Sequence, residues 1–245
     1  MKLLITLVTY GRLAYTKRTI KNLFNSISDD ADYFLVVSDN ASTDGTPAYL
    51  KSLNKRGKIN RLILNDENYY PGKACNLGWE LGLKTYPATH LMRLDNDMSL
   101  QKDWDLEVER YFKAIPELGQ LGIEHEAIEN TEAELKKRVI NGYAINEFPG
   151  CVGGPMIMPR KLWDEGIRYD ESPWVNTDGS PTTGQEDSAL SALIKRRGYI
   201  VGHSQTELGR TFATKDNFGD YPDYYIKTMS ERGLFGIVDK IKEME

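Results

Sequence analysis

Cysteine, histidine and long apolar runs are scarce in this chain, and charge of either sign has no strong excess. Two cysteines and three histidines occur in 245 residues. Cys75 and Cys151 lie far apart and form no C-x-x-C pair, which excludes a zinc ribbon and a thioredoxin-type motif. Both are expected to be buried, reduced thiols of a cytosolic protein. No stretch approaches the ~20 apolar residues of a membrane span. The opening run MKLLITLVTY is too short for a signal-peptide core and carries Thr6. The expected location is therefore the cytoplasm, with peripheral membrane contact left open. Lys and Arg number 31 against 36 Asp and Glu, a net charge of -5, which excludes a broad basic nucleic-acid surface. A phosphate ligand would need locally placed cations or a metal. Internal repeats and low-complexity linkers are also missing.

What remains is the composition of a soluble globular protein, 40% hydrophobic and 27% charged. A chain of this length buries about 70–75% of its unfolded surface, enough for a core without disulfide or metal staples. Leu3–Val8 and Tyr33–Val37 are continuous apolar runs, the pattern of strands covered on both faces. Leu62–Leu64 and His90–Leu94 are two more, and Leu121–Ile123 is a candidate fifth. Between them the spacing predicts helices over Ala14–Ile27, Pro47–Asn54, Lys73–Leu83 and, capped by Asp103, as far as Ile115. This alternation predicts an α/β fold with a mostly parallel sheet flanked by helices.

Beyond residue 123 the pattern is less regular. Glu124–Asn146 reads as a helix or surface insertion. Gly150–Pro155 is a flexible approach to a strand at Met156–Met158, and Pro159–Glu165 a short helix. Ser172–Gly184 is a loop, Glu186–Arg197 a helix, and Tyr199–Gly202 a strand ending at His203. Tyr221–Glu245 is a helical region interrupted near Gly233 and Gly236.

Ligands of parallel sheets bind beyond the carboxyl ends of the strands. The polar clusters of the first half sit at those ends: Thr9–Arg12, Asp39-Asn40, Asp66–Asn68 and Asp95-Asn96-Asp97. Asp95 and Asp97 at a strand terminus can converge on a hard divalent cation, Mg²⁺ or Mn²⁺. The alternative is a solvated turn or helix cap. Glu186-Asp187 opens a helix, where carboxylates are favoured by the macrodipole, yet one of them could also serve as a catalytic base. His203 closes a strand, as a structural histidine or a ligand. In Asn68–Gly78, Gly72 permits close backbone approach and the helix that follows favours anions.

Together these segments resemble the inverting family 2 glycosyltransferases with the GT-A fold. The strand into Val8-Thr9-Tyr10 resembles the first nucleotide-contacting element of that family, and Val36–Thr46 its second-strand signature. Asn68–Gly78 resembles the next loop and helix, Asp95-Asn96-Asp97 the D-x-D position, and Glu186-Asp187 the E-D motif. The order is kept over residues 3–205, with Asn96 between the two metal-motif carboxylates.

The resemblance implies a metal-dependent transfer of a sugar from a nucleoside diphosphate sugar, UDP by default, to an acceptor hydroxyl. Glycan or bacterial surface-polysaccharide synthesis is the expected context. Thr9 and Asp39 would contact base and ribose, and Tyr10, Arg12, Asn68, Gly72, Lys73, Arg93 and Asn96 complete the donor set. Arg210 would clamp the diphosphate from a lid. Asp95 would contact ribose or sugar, directly or through the metal, and Asp97 would ligate Mn²⁺ or Mg²⁺. His203 matches a region where many members place a further ligand. Asp187, accompanied by Glu186, would be the general base. Gly154 and Trp174 would face the acceptor, Trp174 by stacking on a sugar ring unless it packs within its loop. The implied organisation is a GT-A domain over 1–205, with a donor half at 1–123 and an acceptor half at 124–205. A lid loop and C-terminal helical extension follow at 206–245.

Two other readings stand beside this one. A sugar-nucleotidyltransferase would need a Gly-rich basic loop after the first strand, which Thr9–Leu13 lacks. A non-catalytic nucleotide-sugar- or partner-binding member would not need the carboxylates, all of which are present. Donor sugar, base, acceptor and oligomeric state are left open by the sequence.

Overall fold

The computed structural model describes residues 1–124, 136–147, 152–172, 174–175, 181–182, 185–212, 215–231, 233 and 235–243, the side chains of 174–175, 181–182 and 215–217 excepted. β1 (Lys2–Thr9), β2 (Asp32–Asp39), β3 (Arg61–Leu64) and β4 (His90–Asp95) pair in parallel in the order β3-β2-β1-β4. The helices α1 (Leu13–Ser26), α2 (Thr46–Lys55) and α3 (Tyr70–Leu83) make the crossovers. Side-chain alternation divides the core into two layers. Leu3, Ile5, Leu7, Leu35, Val37, Met92 and Leu94 face one way, with Ile20 and Leu23 of α1. Leu4, Val8, Val36 and Leu91 face the other, with Ala74, Cys75 and Trp79 of α3. Arg93 and Asp95 share the face of Leu91, two residues apart along β4.

After β4 the chain forms β5 (Met98–Leu100), α4 (Trp104–Ala114) and β6 (Leu118–Gly122). Asp103 precedes α4 in a left-handed conformation, but its side chain makes no cap hydrogen bond, contrary to the expected capping role. The second half extends the same sheet with β7 (Lys136–Ile140), β8 (Tyr143–Glu147) and β9 (Met156–Pro159). α5 (Arg160–Asp164), the short strands β10 (Trp174–Val175) and β11 (Pro181–Thr182), α6 (Gln185–Arg196) and β12 (Ile200–Ser204) follow. The strand order is β3-β2-β1-β4-β9-β6-β12-β8-β7. β9 runs antiparallel between β4 and β6, and β12 is parallel to β6.

Of the two readings of residues 124–146, helix or surface insertion, the helix is corrected where they are described. Residues 136–147 form an antiparallel hairpin at the sheet edge, turned at Asn141-Gly142, both with positive φ. An Asn-Gly pair between apolar flanks is a strong hairpin signal; the charged residues before it masked it. β13 (Gly209–Thr211) pairs antiparallel with β5. The chain ends in a 3-10 turn (Lys215–Asp220), α7 (Pro222–Glu231) and α8 (Phe235–Lys242). Gly236 lies inside α8, so among the described residues the helical region is not interrupted there. Cys75 is buried and free, whereas Cys151 and His125 lie outside the described residues. Among the described residues no helix is long and apolar enough to cross a membrane.

Candidate active site at the strand ends

The first crossover begins with a sharp turn. Gly11 and Arg12 both have positive φ, as does Ala41 opposite. The turn is tied from below. Thr9 Oγ1 donates to Asp39 Oδ1 at 2.7 Å, Ser42 Oγ donates to the same oxygen at 2.6 Å, and Gly11 N donates to Ser42 Oγ at 2.7 Å. Thr9 and Asp39 are buried and engaged with one another. The wall of the adjoining cavity, about 320 Å³, is formed instead by their neighbours Tyr10 and Asn40, with Asn68 and Tyr70 from the third strand exit.

Arg12 reaches across the turn to the fourth strand exit. One guanidinium nitrogen donates to Asp97 Oδ2 at 2.8 Å and the other to Asn96 Oδ1 at 2.6 Å. Burial, the largest single influence, works against the Arg12 charge, but Asp97, Tyr224 and Tyr225 together outweigh it and the Arg12 pKa is raised. Burial also raises the Asp97 carboxyl, with repulsion from Asp95 adding to it and Arg12 opposing. Asp95 has its own cation: Arg93 Nε donates to Asp95 Oδ1 at 3.0 Å. The same Arg93 donates to Asp187 Oδ1 at 2.6 Å. Thus Asp187, from the start of α6, is joined through one side chain to the D-x-D strand.

α6 can approach this closely because the first turn of α3 carries a glycine. A Cβ on Gly72 would lie 3.1 Å from a side-chain carbon of Glu186 and 3.1 Å from Cβ of Tyr169. Gly72 therefore serves helix packing against Glu186 and does not line the cavity. Gly154, at φ +59°, lies beside the site, and a Cβ there would meet Glu124 Oε2 at 2.8 Å and Asp95 Oδ2 at 3.7 Å. Glu124 lines the cavity with Asp95.

Several expected residues stand elsewhere. Lys73 lies over the Tyr69 ring, 3.7 Å from its centroid. Arg210 pairs with Glu207 at 2.5 Å, and the next residue, Thr211, lines the cavity. His203 is buried, its ring beside Gly122 and Val152, and burial lowers its pKa to about 4. The Trp174 side chain lies outside the described residues.

The fourth wall is one the sequence did not suggest. Tyr224, Tyr225, Thr228, Met229 and Glu231 of α7 line the cavity, with Phe218. Arg12 lies 4.2 Å from the Tyr224 ring centroid and donates to Tyr225 Oη at 3.3 Å. Lys227 Nζ donates to Tyr10 Oη at 2.7 Å. Burial, the largest influence, raises the Tyr225 hydroxyl to about 12 although Arg12 opposes it. The aromatic content of this segment was the available signal.

Among the described residues no three His, Cys, Asp or Glu side chains form a metal cage. Two repelling carboxylates on a cavity nevertheless fit Mg²⁺ or Mn²⁺, which is commonly held by one or two carboxylates plus substrate phosphates and water.

Solved structures share this fold. The chain resembles S. aureus TarS 1-349 at 16% identity and TM-score 0.60, covering 94% of this chain and 65% of that one. In the TarS complex with UDP-GlcNAc the TM-score is 0.61 at 16% identity, covering 94% and 66%. A mannosyltransferase from Pyrobaculum calidifontis, in complex with GDP-Man and Mn²⁺, gives 14% identity and TM-score 0.64, covering 96% and 64%. The chain thus spans under two thirds of the length of these proteins. No curated protein matches it. The sequence profile described as glycosyl transferase family 2 matches residues 5–161. With that match, and the GT-A architecture of the solved structures, the chain belongs to glycosyl transferase family 2.

Proposed function

We propose that the protein is a metal-dependent, inverting glycosyltransferase that moves a sugar from a nucleoside diphosphate sugar to an acceptor hydroxyl. One observation carries this reading: the strand-end cavity holds Asp95 and Asp97, and Arg93 on its wall grips Asp187 at 2.6 Å. A hard-ligand pair and a candidate base from the other half of the chain thus meet at one place. A UDP donor is favoured, since TarS is seen with UDP and UDP-GlcNAc; GDP is the competing base, given the mannosyltransferase complex. A glycan acceptor in surface-polysaccharide synthesis is the proposed context.

Asp95 and Asp97 would hold Mn²⁺ or Mg²⁺. Such an ion, when bound, offsets the charge that grows on a departing diphosphate. Arg12 holds Asp97 in place and adds positive charge at the same end. Tyr10, Asn40, Asn68 and Tyr70 offer rings and amides to the nucleoside. Asp187 takes the proton of the acceptor hydroxyl as its oxygen attacks the anomeric carbon opposite the leaving group, which inverts that centre. Residues 1–123 then supply the donor half, 124–205 the acceptor half with Gly154, and 206–245 the cover.

The test is thermal stabilisation by UDP, GDP and dTDP, each with and without Mn²⁺. A ligand at 100 times its dissociation constant adds about 2.7 kcal/mol. A metal-dependent shift with one nucleotide is expected and names the base. No shift with any of them overturns the donor site.

A further inference from the structure

Arg93 is a costly residue in its position. It lies inside a strand, 4% exposed, and a buried guanidinium persists only where its charge and donors are matched. Here they are matched by two carboxylates of different origin. Strand alternation puts Asp95 on the same face two residues on, bonded at 3.0 Å through Nε and 3.3 Å through the second terminal nitrogen. The remaining terminal nitrogen bonds Asp187 at 2.6 Å. Burial opposes the Arg93 charge, yet Asp187 first and Asp95 second hold its pKa well above the ordinary value.

We propose that Arg93 is a positioning residue, which fixes the Asp187 carboxylate relative to the donor site by gripping Asp187 and Asp95 with one planar group. The inference rests on the assignment of Asp187 as base. A guanidinium suits the task because its donors form a rigid fork, so two carboxylates bound to it cannot move independently. Asp187 Oδ1 is the gripped oxygen. Oδ2 lies toward Gly153, where a Cβ would stand 3.5 Å away. The side of the carboxylate turned to the Gly153-Gly154 segment is thereby set. The grip also favours the ionised form needed for proton abstraction. The groups that act on Asp187 include Arg93 of β4, Cys75 of α3 and Tyr169 after α5. Among these Arg93 is the cation.

The experiment compares Arg93→Met, Arg93→Lys and Asp187→Asn in the full chain, with steady-state kinetics and calorimetric binding of the nucleoside diphosphate with Mn²⁺. Arg93→Met is expected to lower kcat by roughly 10²-fold. Nucleotide affinity should fall by a smaller factor than kcat, because Arg93 also holds Asp95 while the larger part of its contribution belongs to the reaction step. The acid limb of the kcat profile should move up as the carboxylate loses its cation. Arg93→Lys keeps one charge without the fork and should recover part of the loss. Wild-type kcat in Arg93→Met, or equal losses in kcat and affinity with an unmoved acid limb, overturns the proposal. If Arg93→Met does not fold, Arg93→Lys decides alone: a lowered kcat with a raised acid limb supports the role, and wild-type values overturn it. Wild-type turnover in Asp187→Asn would instead overturn the base assignment itself.

Discussion

Arg12 and Arg93 grip opposite ends of the Asp95-Asn96-Asp97 segment, and they do so in unlike surroundings. Arg93 sits in the middle of a sheet, between β1 and β9, and its first partner follows from strand alternation. Arg12 sits in a left-handed turn. Its surroundings are assembled from the segment after β4, the turn and the C-terminal helical region, whose apolar cluster has Phe218, Tyr225 and Ile241 as its buried members among the described residues. One end is therefore held by the main core and the other by a small satellite cluster. Local stability follows the number of buried apolar contacts, so the base end is the stiffer and the nucleotide end the more adjustable. The largest predicted effect lies at the stiff end. Asp187→Asn should lower kcat by about 10³-fold or more, within the range of general-base contributions, while calorimetry finds the nucleotide bound as in the wild type. A parallel loss of binding would mean that the two ends are not separable.

His203 sharpens the comparison from outside both ends. It is buried and its pKa is lowered to about 4 from 6.5. The unfolded chain therefore binds the proton first. Stability is fully present above pH 6.5 and declines as the pH falls toward 4, by up to about 3 kcal/mol. His90, lowered to about 4 by burial and then by the N-terminal ammonium, acts in the same window and sign. Urea unfolding at pH 7 and pH 4.5 should show a shallower acid loss in His203→Gln than in the wild type. Manganese affinity should be the same in both; a large drop in the variant would make His203 a metal ligand.

At the adjustable end, Asp97→Ala removes a proposed ligand and leaves Arg12 without its counterion. Binding of nucleotide with Mn²⁺ should weaken at least about tenfold, or 1.4 kcal/mol. Binding without the metal should change less. Equal weakening in both conditions would assign Asp97 to Arg12 alone.

The division between the two ends also marks what the sequence discloses. The strands are legible because burial on both faces leaves uninterrupted apolar runs such as Leu3–Val8. The strand exits are legible because polar turn residues follow those runs. Partnerships across the chain are not. Arg12 with Asp97, Arg93 with Asp187 and Thr9 with Asp39 join residues whose spacing carries no period. Thr9 and Asp39 show the consequence: their position was legible, yet they brace the turn while Tyr10 and Asn40 face the cavity. The hairpin at Asn141-Gly142 was legible in principle, but the charged residues before it suggested a helix. The cover supplied by α7 was not, because an amphipathic helix with many tyrosines does not reveal which surface it meets.

That cover carries the smallest prediction and the one most specific to the nucleotide end. Tyr225→Phe removes the oxygen that accepts from Arg12 at 3.3 Å while keeping the ring against Phe218, 4.5 Å between centroids. Tyr224→Leu removes the aromatic face over Arg12 while keeping apolar bulk. A hydrogen bond and a cation–π contact of this kind each contribute about 0.5–1.5 kcal/mol. Each variant should therefore weaken nucleotide binding by a few-fold. Both act on the same guanidinium, so the double variant should cost less than the sum of the two. Neither should move the acid limb of the kcat profile, because Arg93 and Asp187 are untouched. If either variant shifted that limb as Arg93→Met is expected to, the two arginines would belong to one coupled network, and the contrast between a stiff base end and an adjustable nucleotide end would fail.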